Sequence, residues 1–128
     1  METIHNVQQQ NKALVEKFDD AFARGDHKTI LGMMSEDVEW KMLGEFHLKG
    51  KNDIAEMFKS MEDMGLPEIW PGTKVAEEDR IVSEGVMKGL DKEGKIFRAA
   101  YVDSYLIQNG RIIELTSYVV TLKENVNE

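Results

Sequence analysis

One carboxylate in this chain stands where its neighbours would change its chemistry. Along Phe97-Arg-Ala-Ala-Tyr-Val-Asp-Ser-Tyr-Leu-Ile107, strand alternation places Asp103 on one face with Phe97, Ala99, Tyr101, Tyr105 and Ile107. Apolar surroundings disfavour the charged carboxylate and raise its pKa, which suits Asp103 to act as acid or base near neutrality. The same residues also allow a quieter arrangement, a carboxylate satisfied by Tyr101, Tyr105, Tyr118 or a backbone amide.

A second group of residues is suited to line an apolar pocket. Trp40 and Met42 share the inward parity of an early strand, and Phe18 and Phe22 lie one turn apart on a helix. With Met57, Tyr101, Tyr105 and Tyr118 they form the expected ligand-binding set, and plain core packing is the alternative for each. Met33, Met34, Met57, Met61 and Met64 supply flexible thioethers that adapt to varied apolar ligands or fill core gaps. Trp70-Pro71-Gly72 reads either as a lid or rim for a flat ligand or as a turn anchor.

Other chemistries lack their residues. Glu45 and His47 fall short of a metal coordination sphere, and His5 and His27 are too peripheral to complete one, so no metal site is expected. His47, in a loop near the expected pocket mouth, suits proton relay or plain exposure. There is no glycine-rich phosphate loop, no serine nucleophile constellation and no dinucleotide fingerprint, so no cofactor is expected. The absence of cysteine removes thiolate catalysis and disulfides.

The elements that must position these residues are legible in the periodicity. Val7, Leu14, Val15, Phe18 and Phe22 recur at helical spacing up to Arg24-Gly25-Asp26, where glycine stops one helix and Asp26 caps the next, which carries Ile30, Leu31, Met33 and Met34. Val38, Trp40 and Met42 alternate as a strand, and Gly44 and Gly50 bracket a loop after it. Asp53-Ile-Ala-Glu56 has capping-box spacing at the start of a third helix that ends near Gly65-Leu66-Pro67. Strands follow at Lys74 to Ala76, Arg80 to Leu90, Lys95 to Gln108 and Arg111 to Lys123, the last two joined by the hairpin signal Asn109-Gly110. Three helices before an antiparallel meander predict an α+β domain in which the helices cover one sheet face.

The run Phe18-Asp-Asp-Ala-Phe-Ala-Arg-Gly-Asp26 with Met33-Met-Ser-Glu-Asp-Val-Glu-Trp40, then His47-Leu-Lys-Gly50 and Tyr101-Val-Asp-Ser-Tyr-Leu-Ile-Gln-Asn-Gly-Arg-Ile-Ile113, resembles the nuclear transport factor 2-like, ketosteroid isomerase-like superfamily. It resembles in particular the SnoaL-like polyketide cyclases and limonene epoxide hydrolases. The resemblance implies a cone-shaped fold, with three N-terminal helices in the concavity of a curved, mostly antiparallel sheet and an apolar cavity at the open end. It also implies a catalytic carboxylate on the first strand, where this chain has Trp40, and a tyrosine oxyanion donor on the first helix, where it has Phe18. Only the acid of the late strand is kept, as Asp103, so steroid double-bond isomerisation is not expected. The epoxide hydrolase pattern wants a further aspartate on the last strand and a nearby arginine. Here those are Glu114 and Arg98, and Arg98 falls on the face opposite Asp103.

At 128 residues the chain makes one domain, 1–128, with one main core. Its formal net charge of -8 disfavours nucleic acid, and its 41% hydrophobic content holds no stretch able to span a bilayer. The polar start METIHNVQQQNK lacks the features of a signal peptide, which makes the cytoplasm the expected location. A small apolar molecule is the expected partner. Ile96, Ala100, Val102 and Leu106, with Ile113, Leu115 and Val119 on the next strand, are expected to form an apolar outer sheet face that pairs two copies. Two functions stand: proton-transfer chemistry of isomerase or cyclase type through Asp103, or ligand binding or protein interaction without chemistry.

Overall fold

A computed structural model describes residues 4–123. Helix α1 runs Ile4–Arg24 and ends where the sequence predicts. Gly25 takes φ 69°, the Asp26 N–H donates to the Ala21 carbonyl at 2.8 Å, and the Gly25 N–H donates to that of Phe22 at 3.1 Å. These paired bonds satisfy two carbonyls the helix leaves open, and they need a residue that tolerates left-handed backbone. Helix α2, His27–Gly32, is capped by Asp26, whose carboxylate accepts from the Thr29 N–H at 3.2 Å. Met33 and Met34, expected in that helix, are its C-cap and the first residue of the next strand.

Strand β1, Met34–Met42, pairs antiparallel with β2, Phe46–Lys49, where the sequence suggested only a loop. Helix α3, Lys51–Ser60, begins earlier than expected, with Gly50 as its N-cap. Asp53 therefore sits at the third helical position, not at the cap, and its carboxylate reaches back to the Lys49 N–H at 3.2 Å. The helix stops at Ser60, and a short 3₁₀ turn, Glu62–Met64, leads to the remaining strands. These are β3 (Glu68–Glu77), β4 (Arg80–Leu90), β5 (Ile96–Gln108) and β6 (Arg111–Thr121). At Asn109-Gly110 both residues have positive φ, 52° and 73°, the conformation a two-residue hairpin turn demands.

The six strands form one curved sheet in the order β2-β1-β6-β5-β4-β3, antiparallel except for β1 against β6. Three helices lie in its concavity, so the fold is the α+β cone. Val15, Phe18 and Ala21 of α1, Ile54 and Phe58 of α3, and Ile81, Tyr105, Ile107, Ile112 and Leu115 of the sheet are buried between the layers.

Two bulges change which residues face inward. Between β5 and β6 the pairing passes from Ile107↔Ile112 to Leu106↔Glu114, so Ile113 is an extra residue that reverses the alternation beyond it. Leu115 is consequently buried in the core and Val119 turns toward the concave side. Neither lies on the outer face as unbroken alternation predicts. In β3 the register shifts between Pro71 and Lys74. Trp70-Pro71-Gly72 is thus strand, not lid, and Trp70, paired with Val86, is half exposed on the outer face.

Candidate functional site

The concave side of the sheet and helix α1 enclose a cavity of about 390 Å³. Phe18 and Phe22 reach it from α1, Trp40 and Met42 from β1, Tyr101 and Asp103 from β5. Phe18 packs edge-on against Trp40 and Tyr105, with centroids 6.2 and 5.4 Å apart, which anchors the aromatic wall to the core. Five of the eight expected ligand-binding residues, Phe18, Phe22, Trp40, Met42 and Tyr101, line the cavity. Tyr105 is fully buried beneath the wall, and Met57 packs against the core from α3. Tyr118 differs in kind. Paired with Val102 on the convex side, it is about half exposed, because the Ile113 bulge sets the parity of β6.

Asp103 occupies the polar end of the cavity. Its register partners are Ser83 on β4 and Ser117 on β6, both buried. The Trp40 indole N–H donates to Ser117 Oγ at 3.0 Å, and the Ser117 hydroxyl in turn serves the Asp103 carboxylate. The Tyr105 hydroxyl lies beside the same carboxylate without the alignment of a full hydrogen bond. Desolvation raises the Asp103 pKa to about 6, helped by the nearby Asp19 charge and opposed by Ser117 and Tyr105. Tyr101 and Tyr105 are pushed up by burial and by the carboxylates, so both stay neutral phenols.

Asp19 was not expected here. It is buried on α1, lines the cavity, and forms an ion pair with Lys74 Nζ at 3.0 Å, both side chains at most 10% exposed. Burial still outweighs Lys74, and the Asp19 pKa is raised. Its position was readable, since residues 15, 18, 19 and 22 share one helical face. Lys74 was hidden by the β3 bulge. Ser117, Phe46, Met61, Met87 and Phe97 also line the cavity. Ser117 was hidden by the β6 bulge, and Phe46 by the unforeseen β2.

Gly85 makes room for Tyr101. A Cβ there would stand 2.5 Å from the Tyr101 hydroxyl and 2.7 Å from the Trp70 carbonyl oxygen. The remaining candidates lie apart from the cavity. His47 is in β2, exposed, its Nε2 2.9 Å from Glu39. His27 stacks on Phe58 with centroids 4.2 Å apart, and the side chain of His5 lies outside the described residues. Arg98 is exposed, paired with Lys88, while Glu114 pairs with Glu39 and Leu106, so neither joins Asp103. Among the described residues no group of three or more His, Asp or Glu side chains is placed to hold a metal ion.

A helix-filled cone with an apolar cavity and a polar end is the arrangement of nuclear transport factor 2-like proteins. Residues 15–115 match the model of the SnoaL-like domain, and the chain belongs to that family. Its fold is similar to that of a candidate polyketide cyclase of Xanthomonas campestris pv. campestris, at TM-score 0.80 and 22% identity, over 88% of this chain and 91% of the other. An LEH-like epoxide hydrolase of M. tuberculosis aligns at TM-score 0.79 and 16% identity, over 88% and 84% of the two chains. A nuclear transport factor 2-like protein of Burkholderia xenovorans LB400 aligns at TM-score 0.74 and 25% identity, over 88% and 91%. No curated protein matches the chain.

Proposed function

We propose that this SnoaL-like protein binds a small apolar molecule in its cavity and transfers a proton to or from it through Asp103. The observation that carries the reading is a carboxyl with a pKa of about 6 at the polar end of a cavity lined mostly by aromatic and aliphatic side chains. Such a group holds and releases a proton near neutrality. Ser117, fixed by the Trp40 indole, orients the carboxylate. Trp40 and Phe18 offer neither base nor hydroxyl, so the chemistry proposed is single-carboxylate proton transfer, isomerase-like or cyclase-like, and not steroid isomerisation.

The test compares wild type with Asp103→Asn against a panel of apolar carbonyl compounds, following both thermal shift and product. The reading expects ligands to raise the melting temperature of both proteins and turnover to vanish in the variant. Turnover that survives the substitution overturns it. Binding without any chemical change in wild type favours the second reading, a binding module, which Trp40 and Phe18 at the positions expected for a base and a hydroxyl support.

We also propose a homodimer through the convex sheet face, where Val82, Val86, Ile96, Val102, Tyr118 and Val120 are all 36% exposed or more. Sedimentation of wild type against Val102→Lys tests it: the proposal expects a dimer that the substitution weakens, and a monomeric wild type contradicts it.

A further inference from the structure

The charges around the cavity are one-sided. Asp19, Glu45 and Asp103 line it, and among the described residues no lysine, arginine or histidine does. Lys74 reaches Asp19 from β3, but it lines the groove outside, between α1 and β3, and not the cavity itself. Among the described residues Asp103 has no such cation. The groups that face it are the Ser117 and Tyr105 hydroxyls and the Asp19 charge, with Ser83 across β4 and Tyr101 on its own strand. The Tyr101 hydroxyl is buried and, among the described residues, has no hydrogen-bond partner.

The rest of the lining is aromatic to an unusual degree. Phe18, Phe22, Trp40, Phe46, Phe97 and Tyr101 contribute six rings. Phe18 and Phe22 stack at 6.1 Å, and Trp40 and Phe46 meet edge to face at 5.8 Å. Ring faces attract cations through their quadrupole, most strongly where water is excluded, and groups of rings are the usual receptacle for alkylated ammonium. A buried carboxylate without a counter-ion is costly, and a bound cation would relieve that cost.

We propose that the cavity takes a ligand with an alkylated, cationic nitrogen on a small apolar frame, the rings enclosing the alkyl groups and Asp103 serving as counter-ion. This rests on the reading of the cavity as the binding site and adds the charge of its ligand. It also narrows the role of Asp103: beside a cation the carboxylate stays ionised, so it takes protons rather than gives them.

The probe is benzyltrimethylammonium, compared with neopentylbenzene, in which carbon replaces the nitrogen. Binding is followed by NMR shifts of the Trp40 indole N–H and the Phe97 ring at matched ionic strength. The expected result is at least tenfold tighter binding of the cation, lost in Asp103→Asn and lost as pH falls below the Asp103 titration. Equal or tighter binding of neopentylbenzene in the cavity overturns the charge assignment and leaves the apolar-ligand reading standing. Cation binding that is unchanged in Asp103→Asn, or that moves only surface resonances, also overturns it. If neither compound moves the cavity resonances, both this inference and the reading beneath it fail.

Discussion

Asp103 and Ser117 face each other across β5 and β6, and the Ser117 hydroxyl that serves the carboxylate also accepts the Trp40 indole N–H at 3.0 Å. Trp40 thus fixes the serine that faces the acid. Ser117→Ala removes both contacts. The buried indole N–H is left unpaired, for a loss of about 1–3 kcal/mol. Because Ser117 lowers the Asp103 pKa, the variant should titrate higher than wild type. Denaturant unfolding and an NMR titration check the two effects separately.

The raised pKa of Asp103 makes stability depend on pH in a stated direction. Its ordinary value is 3.8 and its folded value about 6, so between these pH values the folded state holds a proton that the unfolded chain has lost. The Asp103 contribution therefore falls as pH rises through that window and levels off above it, by roughly 3 kcal/mol for a shift of about two pH units. Asp103→Asn should stabilise the protein at pH 7.5 and change little at pH 4. Melting curves at both pH values are sufficient, and equal effects at both would contradict the assignment.

The Asp19 and Lys74 pair predicts non-additive variants. Lys74→Met leaves Asp19 buried without its cation and should cost about 3–5 kcal/mol at neutral pH, as breaking a buried pair does. Adding Asp19→Asn should restore most of that loss, since the uncompensated charge is gone. A double-mutant cycle by urea unfolding measures the coupling. Asp19→Asn should also lower the Asp103 pKa, because the Asp19 charge raises it.

Gly85→Ala should destabilise the sheet by about 1–3 kcal/mol, the usual cost of forcing atoms into a filled space. The added Cβ would meet the Tyr101 hydroxyl and the Trp70 carbonyl oxygen, and the latter is backbone that can give way only by disturbing β3. A melting temperature equal to wild type would show that the Tyr101 ring is free to move.

Much of this arrangement was legible because local rules were obeyed. The Gly25 stop, the Asp26 cap and the Asn109-Gly110 turn each follow from what one or two residues permit, and the face of β5 that carries Asp103 follows from plain alternation. Bulges broke the rule elsewhere. One extra residue at Ile113 turned Leu115, Ser117 and Val119 inward and Tyr118 outward, and no residue type at that position announces it. The shift after Pro71 likewise hid the route by which Lys74 reaches α1. Asp19 was overlooked for another reason. A charged residue on an apolar helical face reads as a break in the stripe until its partner, 55 positions along the chain, is seen.

The account turns on Asp103 being a desolvated carboxyl poised near neutrality. Its side-chain carbon can be followed by NMR across pH 3 to 8 in the intact protein, with Asp103→Asn to assign the resonance. The account predicts a midpoint at about 6. A midpoint near 3.8, the ordinary carboxyl value, would contradict it.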